Sequence, residues 1–136
     1  MSSTEQTLSI IKPDAVERDL IEKIKLIFTK NNLTIKNEKK LHITKEEASE
    51  FYKEHQSKPF YDGLCTYLSS GPIIVMILEG NNAIQLNRKL MGATDPKNAE
   101  ENTIRKLYGV SIDKNSVHGS DSVDSAKKEI SFFFKD

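Results

Sequence analysis

Ile73-Ile74-Val75-Met76-Ile77-Leu78 is the longest apolar run in this sequence. Successive residues of a strand point to opposite faces of its sheet, so a strand without polar alternation has to be covered on both faces. The run therefore predicts a central strand, and Gly71-Pro72 in front of it ends the preceding segment. It is far shorter than the span of about 20 apolar residues that a transmembrane helix needs.

A second buried strand is predicted upstream at Leu8–Ile11, with Lys12 at its carboxyl end. The Asp19-x-x-Glu22 spacing then predicts the start of a helix, which ends at Asn31-Asn32. The apolar face of this helix consists of Leu20, Ile24, Ile27 and Phe28. After the helix, apolar residues of one strand parity alternate with polar residues, which predicts a strand with one wet face. Its apolar set is Leu33, Ile35, Leu41 and Ile43.

Two helices are predicted between that strand and the central one. Thr44-x-x-Glu47 has the spacing of a capping box. The helix that it starts carries, at helical spacing, Ala48, Phe51, Tyr52 and His55. A further short helix carries Phe60, Leu64, Tyr67 and Leu68.

Downstream of the central strand, Asn81 or Asn82 is predicted to cap a helix that ends at Gly92. Residues 93–116 show little periodicity beyond one short turn near Thr103 to Leu107. A loop of that length in a compact domain is usually functional or disordered, and polar residues that suit a binding site favour the first reading. These residues are Thr94, Arg105 and Asn115. Val117-His118 is predicted to form a short strand, and Ser122 to cap a last helix carrying Val123, Ala126, Ile130 and Phe133.

The order of these elements indicates one α/β (α+β) domain over residues 1–136. Mixed strands with helices stacked on one face predict a sandwich of the ferredoxin-like, split-βαβ kind. In the βαββαβ order, a four-stranded antiparallel sheet is covered by helices. We find no internal repeat, linker or low-complexity tract.

Composition excludes several classes of function. Lys plus Arg equals Asp plus Glu, at 20 each, so no bulk field attracts nucleic acid or an anionic membrane, and any anion site is built locally. The single cysteine, Cys65, lies between Leu64 and Tyr67 and fits a small buried hydrophobe better than a catalytic thiol. One cysteine cannot form an internal disulfide, and the polar N-terminus is unlike a signal peptide, which together predict a cytoplasmic location.

The clearest candidate for chemistry is His118, in the stretch Asn115-Ser116-Val117-His118-Gly119-Ser120-Asp121-Ser122. A lone histidine is most often a satisfied surface or core residue, but here Gly119 leaves room for an incoming group. Glu129 lies two helical turns beyond Ser122, where it could hold one ring nitrogen and fix the tautomer of a nucleophile. Metal ligation is the other alternative, and the three histidines have no close ligand spacing.

Cations and aromatic residues could bind the substrate. Lys12 ends a strand, where α/β folds place binding sites, and Arg88 and Arg105 offer planar donor forks that match phosphate. Each of them alone is more simply a solvated surface charge, and spacing does not show that they converge. Phe60 and Tyr52 are core residues by composition, with base stacking as the alternative. No glycine-rich phosphate loop is present, so phosphates would be bound by side chains.

These residues together resemble the nucleoside diphosphate kinases. The resemblance rests on the stretch from Asn115 to Ser122 and on motifs along the whole chain. These are Ile11-Lys12-Pro13-Asp14-Ala15, Tyr52 to His55, Pro59-Phe60, Ser70-Gly71-Pro72, Arg88 to Thr94, Thr103-Ile104-Arg105 and Ser125-Ala126-Lys127-Lys128-Glu129-Ile130.

The resemblance implies ping-pong transfer of the γ-phosphate from ATP or another nucleoside triphosphate to a nucleoside diphosphate. His118 would be the nucleophile, oriented by Glu129 with the aid of Ser120. Positions around the transferred phosphoryl group and the ribose hydroxyl are matched by Lys12, Tyr52 and Asn115. The phosphate-binding positions are matched by His55, Arg88, Thr94 and Arg105, and the base clamp by Phe60, Ile112 and the neighbouring Leu64. Mg2+ would arrive on the nucleotide phosphates, without a protein metal cage.

The resemblance also implies a homo-oligomer, with a hexamer favoured over a tetramer. The chain departs from the family pattern in the loop, at Glu101-Asn102 and at Lys106-Leu107, and it lacks the longer C-terminal extension of many relatives. These departures bear on loop rigidity and subunit packing, and the nucleophile is unaffected by them. Two alternative functions stay open: a regulatory protein without useful turnover, and a kinase or carrier whose phosphohistidine serves a protein acceptor. Specific DNA binding is weakly supported.

Overall fold

The computed structural model describes residues 4–53, 56–59, 61–93, 95–109 and 116–134. These residues form a four-stranded sheet in the order β2-β3-β1-β4, with every neighbouring pair antiparallel. The strands are β1 Thr4–Ile11, β2 Thr34–Leu41, β3 Ile73–Asn81 and β4 Val117–Gly119. The predicted βαββαβ ferredoxin-like fold is confirmed, and the apolar run at 73–78 lies in β3, one of the two inner strands.

Helices connect the strands in the predicted order. They are α1 Pro13–Glu17, α2 Ile21–Lys30, α3 Lys45–Phe51, α4 Tyr61–Leu68, α5 Ala83–Met91, α6 Ile104–Tyr108 and α7 Val123–Phe133. A 3-10 turn at Pro96–Asn98 and helix α6 lie within the long connection between β3 and β4, where the sequence predicts one short turn near Thr103 to Leu107. No helix in the described part of the chain combines the length and the apolar character needed to cross a membrane.

Helices cover both faces of the sheet, so the expectation of helices stacked on one face is wrong. Buried side chains of the described residues form two clusters, and the neighbouring residues Ile10 and Ile11 belong to different ones. We call one cluster the α2–α5 core, because it includes Phe28 from α2 and Met91 from α5. We call the other the α3–α7 core, because it includes Ala48 from α3 and Phe133 from α7. This two-sided cover explains why β3 has no polar alternation.

Strand β2 does not keep one wet face, because a bulge at Lys36 changes its parity. Ile35 pairs with Leu78, but Asn37 pairs with Ile77, so one residue is inserted into the edge strand. Ile35 therefore packs against the α2–α5 core, and Leu41 packs against the α3–α7 core. The alternation in the sequence was genuine, but an inserted residue moves every following side chain to the other face.

The structure confirms two of the predicted helix starts and contradicts a third. The Thr44–Glu47 capping box is confirmed, with hydrogen bonds of 3.1 and 2.9 Å in its two directions. Ser122 also caps α7, accepting from the Ser125 N–H at 3.1 Å. The predicted start at Asp19 is wrong, because Asp19 has a φ of 60° and Leu20 is the N-cap of α2, with no side-chain cap bond.

Candidate active site

His118 lies in the middle of the short strand β4, opposite Ile10 of β1. Its ring packs edge-on against Phe51 and Tyr52 at the end of α3, with centroid separations of 5.4 and 6.4 Å. The His118 side chain keeps 22% of its surface exposed. The imidazole is therefore held in place by aromatic neighbours and remains accessible to a ligand.

One ring nitrogen of His118 is held by a carboxylate. His118 Nε2 lies 3.1 Å from Glu129 Oε1, and the Ser120 hydroxyl donates to the same oxygen at 2.9 Å. Ser120 is fully buried and accepts in turn from the Leu8 N–H at 3.2 Å. A carboxylate partner assigns the proton to Nε2, which leaves the lone pair of Nδ1 for nucleophilic attack.

Tyr52 follows α3 directly and is buried next to this pair. Burial, and after it the negative charge of Glu129, raises the pKa of the Tyr52 phenol above its ordinary value. The hydroxyl is therefore neutral at physiological pH and can donate a hydrogen bond.

Lys12 lies where β1 ends, one residue beyond the pairing of Ile11 with Val117. It is 5% exposed, and its N–H donates to the Ser116 carbonyl at 2.8 Å. The strand end predicted for Lys12 is thus confirmed, and it adjoins the start of β4.

Arg105 is buried between the end of α5 and β4, and it is 8% exposed. Its Nη1 donates to the Gly92 carbonyl at 3.0 Å, and its Nη2 donates to the Val117 carbonyl at 2.9 Å. Burial, and after it the positive charge of Arg88, lowers the pKa of Arg105 to about 10. Arg105 stays charged at neutral pH, and the exposed Arg88 of α5 is near enough to influence it.

The predicted site residues that the structure places on or beside β4 are Lys12, Tyr52, Arg105, His118, Ser120 and Glu129. Arg88 lies near enough to Arg105 to lower its pKa. Leu64 lies on α4 and packs, partly buried, against the α3–α7 core. The other predicted residues lie outside the described part of the chain: His55, Phe60, Thr94, Ile112 and Asn115.

One network at the site was missed by the sequence reasoning. Arg18 forms an ion pair with Asp14 at 3.1 Å and also donates to the carbonyl of Tyr108 and to Ser116 Oγ. Asp14 accepts a short hydrogen bond from the Tyr67 hydroxyl. Arg18 thereby bridges α1 to the residues on both sides of segment 110–115. The available signal was the spacing of four residues between Asp14 and Arg18, which places opposite charges together on a helix.

The divergent loop positions are at the surface. Asn102 adopts a φ of 68°, and Lys106 and Leu107 lie on the exposed side of α6, with Leu107 50% exposed. The hydrogen bonds and ring contacts of His118 involve none of these residues. Among the described residues no group of three or more metal-ligating side chains is present.

Fold and site together define a class: an α+β domain of the ferredoxin-like kind with a carboxylate-held histidine beside buried cations. A model of the nucleoside diphosphate kinase family matches residues 5–136. The nucleoside diphosphate kinase of Helicobacter hepaticus is 56% identical over 130 residues, which cover 96% of this chain and 95% of that protein. The enzyme of Nitratiruptor is 53% identical with the same coverage.

Solved structures agree with these sequence matches. The nucleoside diphosphate kinase of Aquifex aeolicus superposes with a TM-score of 0.96 and 40% identity, covering 98% of this chain and 96% of that one. The enzyme from Encephalitozoon cuniculi superposes with a TM-score of 0.94 and 38% identity, covering 97% and 90%. The chain belongs to the nucleoside diphosphate kinase family.

Proposed function

We propose that this protein is an active nucleoside diphosphate kinase that carries the phosphoryl group on His118. Ping-pong transfer from a nucleoside triphosphate to a diphosphate is the general mechanism of the family to which the chain belongs. The observation that carries the assignment is the chain of hydrogen bonds from Leu8 through Ser120 and Glu129 to His118 Nε2. A histidine oriented in this way is ready for attack through Nδ1.

In the first half-reaction, the Nδ1 lone pair attacks the γ-phosphorus of a triphosphate such as ATP. The N–P bond forms as the bond between the γ-phosphorus and the β–γ bridging oxygen breaks, and the diphosphate leaves with that electron pair. The Nε2 proton stays between the ring and Glu129, whose negative charge stabilises the imidazole as it becomes cationic. The second half-reaction is the reverse, with a terminal oxygen of another diphosphate attacking the phosphohistidine.

In the transition state, negative charge is spread over the oxygens of the transferred phosphoryl group, and the cations around the histidine neutralise it. We assign this role to Lys12, with the neutral Tyr52 hydroxyl as a hydrogen-bond donor to the transferred group. The phosphates of the bound nucleotide are assigned to His55, Arg88, Thr94 and Arg105, and the ribose to Asn115. The base would be held by Phe60, Ile112 and Leu64, a largely apolar clamp that reads few base edges and so tolerates several bases.

Magnesium suits this site as a partner of the nucleotide. Among the described residues, the carboxylate that contacts His118 is Glu129, and its Oε1 is already engaged by His118 and Ser120. Mg2+ prefers oxygen ligands and commonly binds through substrate phosphates, where it supplies further charge neutralisation. We therefore place Mg2+ on the nucleotide phosphates and assign no protein ligand to it.

We further propose that the protein works in the cytoplasm as a homo-oligomer, with a hexamer favoured over a tetramer. The absence of a membrane-crossing helix in the described residues and the single cysteine support the location. Light scattering on the purified protein decides between the two assemblies. A monomer would contradict both.

The assignment of His118 is tested by phosphorylating the protein with ATP and Mg2+ and then adding GDP. Wild-type protein is expected to form an acid-labile phosphoprotein, which GDP discharges rapidly as GTP appears. His118→Ala should lose both steps, whereas the matched control His42→Ala should retain them, because His42 is exposed and its ring contacts the carbonyl of Ser69, away from the site. Turnover by His118→Ala would refute the assignment, and a label that only a protein acceptor discharges would favour a protein-histidine kinase.

A further inference from the structure

Arg105 contacts two backbone carbonyls that belong to separate parts of the site. Gly92 ends α5, the helix that carries Arg88, and Val117 is the residue that precedes His118. The two terminal nitrogens of one guanidinium bind these carbonyls at 3.0 and 2.9 Å. Arg105 therefore joins α6, the end of α5 and strand β4 through one planar group.

The contact at Val117 bears directly on the nucleophile. The carbonyl of Val117 and the N–H of His118 belong to the same peptide unit, and that unit is planar and rigid. A donor that holds this carbonyl restrains the peptide that precedes the His118 Cα, and together with the pairing of His118 with Ile10 it restricts the direction in which the Cα–Cβ bond leaves the strand. Because β4 is only three residues long, the β1 ladder alone gives it few hydrogen bonds.

The contact at Gly92 is equally constrained. Gly92 has a φ of 85°, a conformation that favours glycine, and a Cβ there would lie 2.4 Å from the Thr103 hydroxyl oxygen. Thr103 in turn caps α6, in which Arg105 lies. The guanidinium is thus placed by a tightly packed corner.

We propose that Arg105 is a positioning residue, which fixes the Val117 peptide and with it the His118 ring, in addition to any contact that it makes with phosphate. This inference rests on the proposed function, in which His118 is the nucleophile. Arg105 has five N–H donors, and each Nη nitrogen uses only one of its two protons for a backbone carbonyl, so the guanidinium keeps donor capacity beyond the two backbone bonds. Positioning and phosphate binding are therefore compatible.

Two arginine-to-lysine substitutions separate the two roles. Lysine keeps the charge but presents one nitrogen on a shorter group, so it cannot span two carbonyls as a guanidinium does. Arg105→Lys is expected to lower the single-turnover rate of His118 phosphorylation at saturating ATP by about 10²-fold, the cost of a misplaced reacting group. The matched Arg88→Lys, at an exposed arginine assigned to phosphate binding, is expected to raise KM for nucleotide, and it measures what the loss of phosphate contacts alone costs.

The outcomes are distinct. If Arg105 served phosphate alone, Arg105→Lys would behave like Arg88→Lys, with a raised KM and no greater loss of the saturated rate than Arg88→Lys shows, and the inference would be overturned. If it served stability alone, Arg105→Lys would lower Tm, while its folded fraction would phosphorylate at the wild-type rate, which would also overturn it.

A measurement on the wild-type protein keeps the test independent of how the variant folds. In 15N-resolved NMR without nucleotide, the Arg105 Nη protons should be separately resolved and slow to exchange, because both nitrogens donate to backbone carbonyls and the bond to Val117 is buried. Averaged, rapidly exchanging Nη protons would refute the two-carbonyl contact. This readout does not depend on phosphotransfer, so it tests the contact even if the proposed function fails.

Discussion

Replacing Glu129 by glutamine removes the charge that faces His118 and leaves the shape of the side chain almost unchanged. The glutamine oxygen can still accept from Nε2, so the ring should keep its orientation. What is lost is the attraction between a carboxylate and an imidazole that becomes cationic as Nδ1 attacks phosphorus. The substitution therefore isolates electrostatic stabilisation from positioning.

The magnitude follows from the geometry. Nε2 and Oε1 are 3.1 Å apart, and with both charges delocalised, an effective separation of about 4 Å gives about 4 kcal/mol at an effective dielectric constant of about 20. The side chains of His118 and Glu129 are 22% and 15% exposed. Screening by solvent reduces the attraction to about 2–3 kcal/mol, which corresponds to a rate loss of about 10²-fold.

The assay is single-turnover formation of phosphohistidine from ATP, stopped by alkali so that the acid-labile product survives. Glu22→Gln is the matched control, because that carboxylate on α2 is 88% exposed. We expect the control to react at the wild-type rate and Glu129→Gln to react about 10²-fold more slowly, without a comparable change in KM. A rate for Glu129→Gln within about threefold of wild type would refute the electrostatic argument.

Three further predictions concern stability and titration. Gly119→Ala places a Cβ 2.3 Å from Asn87 Nδ2 and should lower the free energy of unfolding by about 1–3 kcal/mol, measured by urea denaturation. Gly63→Ala, in α4 with nothing within 4 Å of the new Cβ, should instead raise it by up to about 1 kcal/mol; equal effects of the two would contradict the packing argument. Thr44→Ala removes half of the capping box and should cost about 1 kcal/mol in the same measurement, and no loss would show that the box is dispensable. Because the pKa of Tyr52 is raised, the folded state holds a proton there that the unfolded state loses above pH about 10, so stability falls as pH rises through that range. Tyr52→Phe should therefore leave the phenolate absorbance step of the folded protein near pH 10 unchanged, and a smaller step would contradict the shift.

The features that follow local rules could be predicted from the sequence. The apolar run at 73–78 gave an inner strand, the Thr44–Glu47 spacing gave a capping box, and the segment beginning at Ser122 gave the last helix. Each depends on residues that are close in sequence, so that periodicity and capping rules apply. The contact between Glu129 and His118 could also be predicted from nearby residues, because it depends only on the short strand, the turn after it and the helical spacing from Ser122 to Glu129.

Features that depend on distant partners could not be predicted in this way. Asn82 is the N-cap residue of α5 but has a φ of 53° and makes no side-chain cap bond. The free Ile84 N–H is instead satisfied by Glu5 of β1, at 2.9 Å. The bulge at Lys36 has a similar origin, because only the register against β3 shows that one residue is inserted. The convergence of Arg105 with Val117 likewise requires the folded sheet.

The shortness of β4 links the fold to the chemistry. A longer β4 would continue the ladder along β1, but the ladder ends at Ser120. The Ser120 N–H still donates to the Leu8 carbonyl at 3.2 Å, whereas Ser120 Oγ accepts from the Leu8 N–H where a strand carbonyl would otherwise do so. Because the strand stops there, Ser122 can begin α7 four residues after His118, and two turns of that helix return Glu129 to the ring. The same serine hydroxyl donates to Glu129. The Ser120 hydroxyl therefore satisfies the Leu8 N–H of β1 and orients the Glu129 carboxylate, which explains why a buried polar residue follows Gly119.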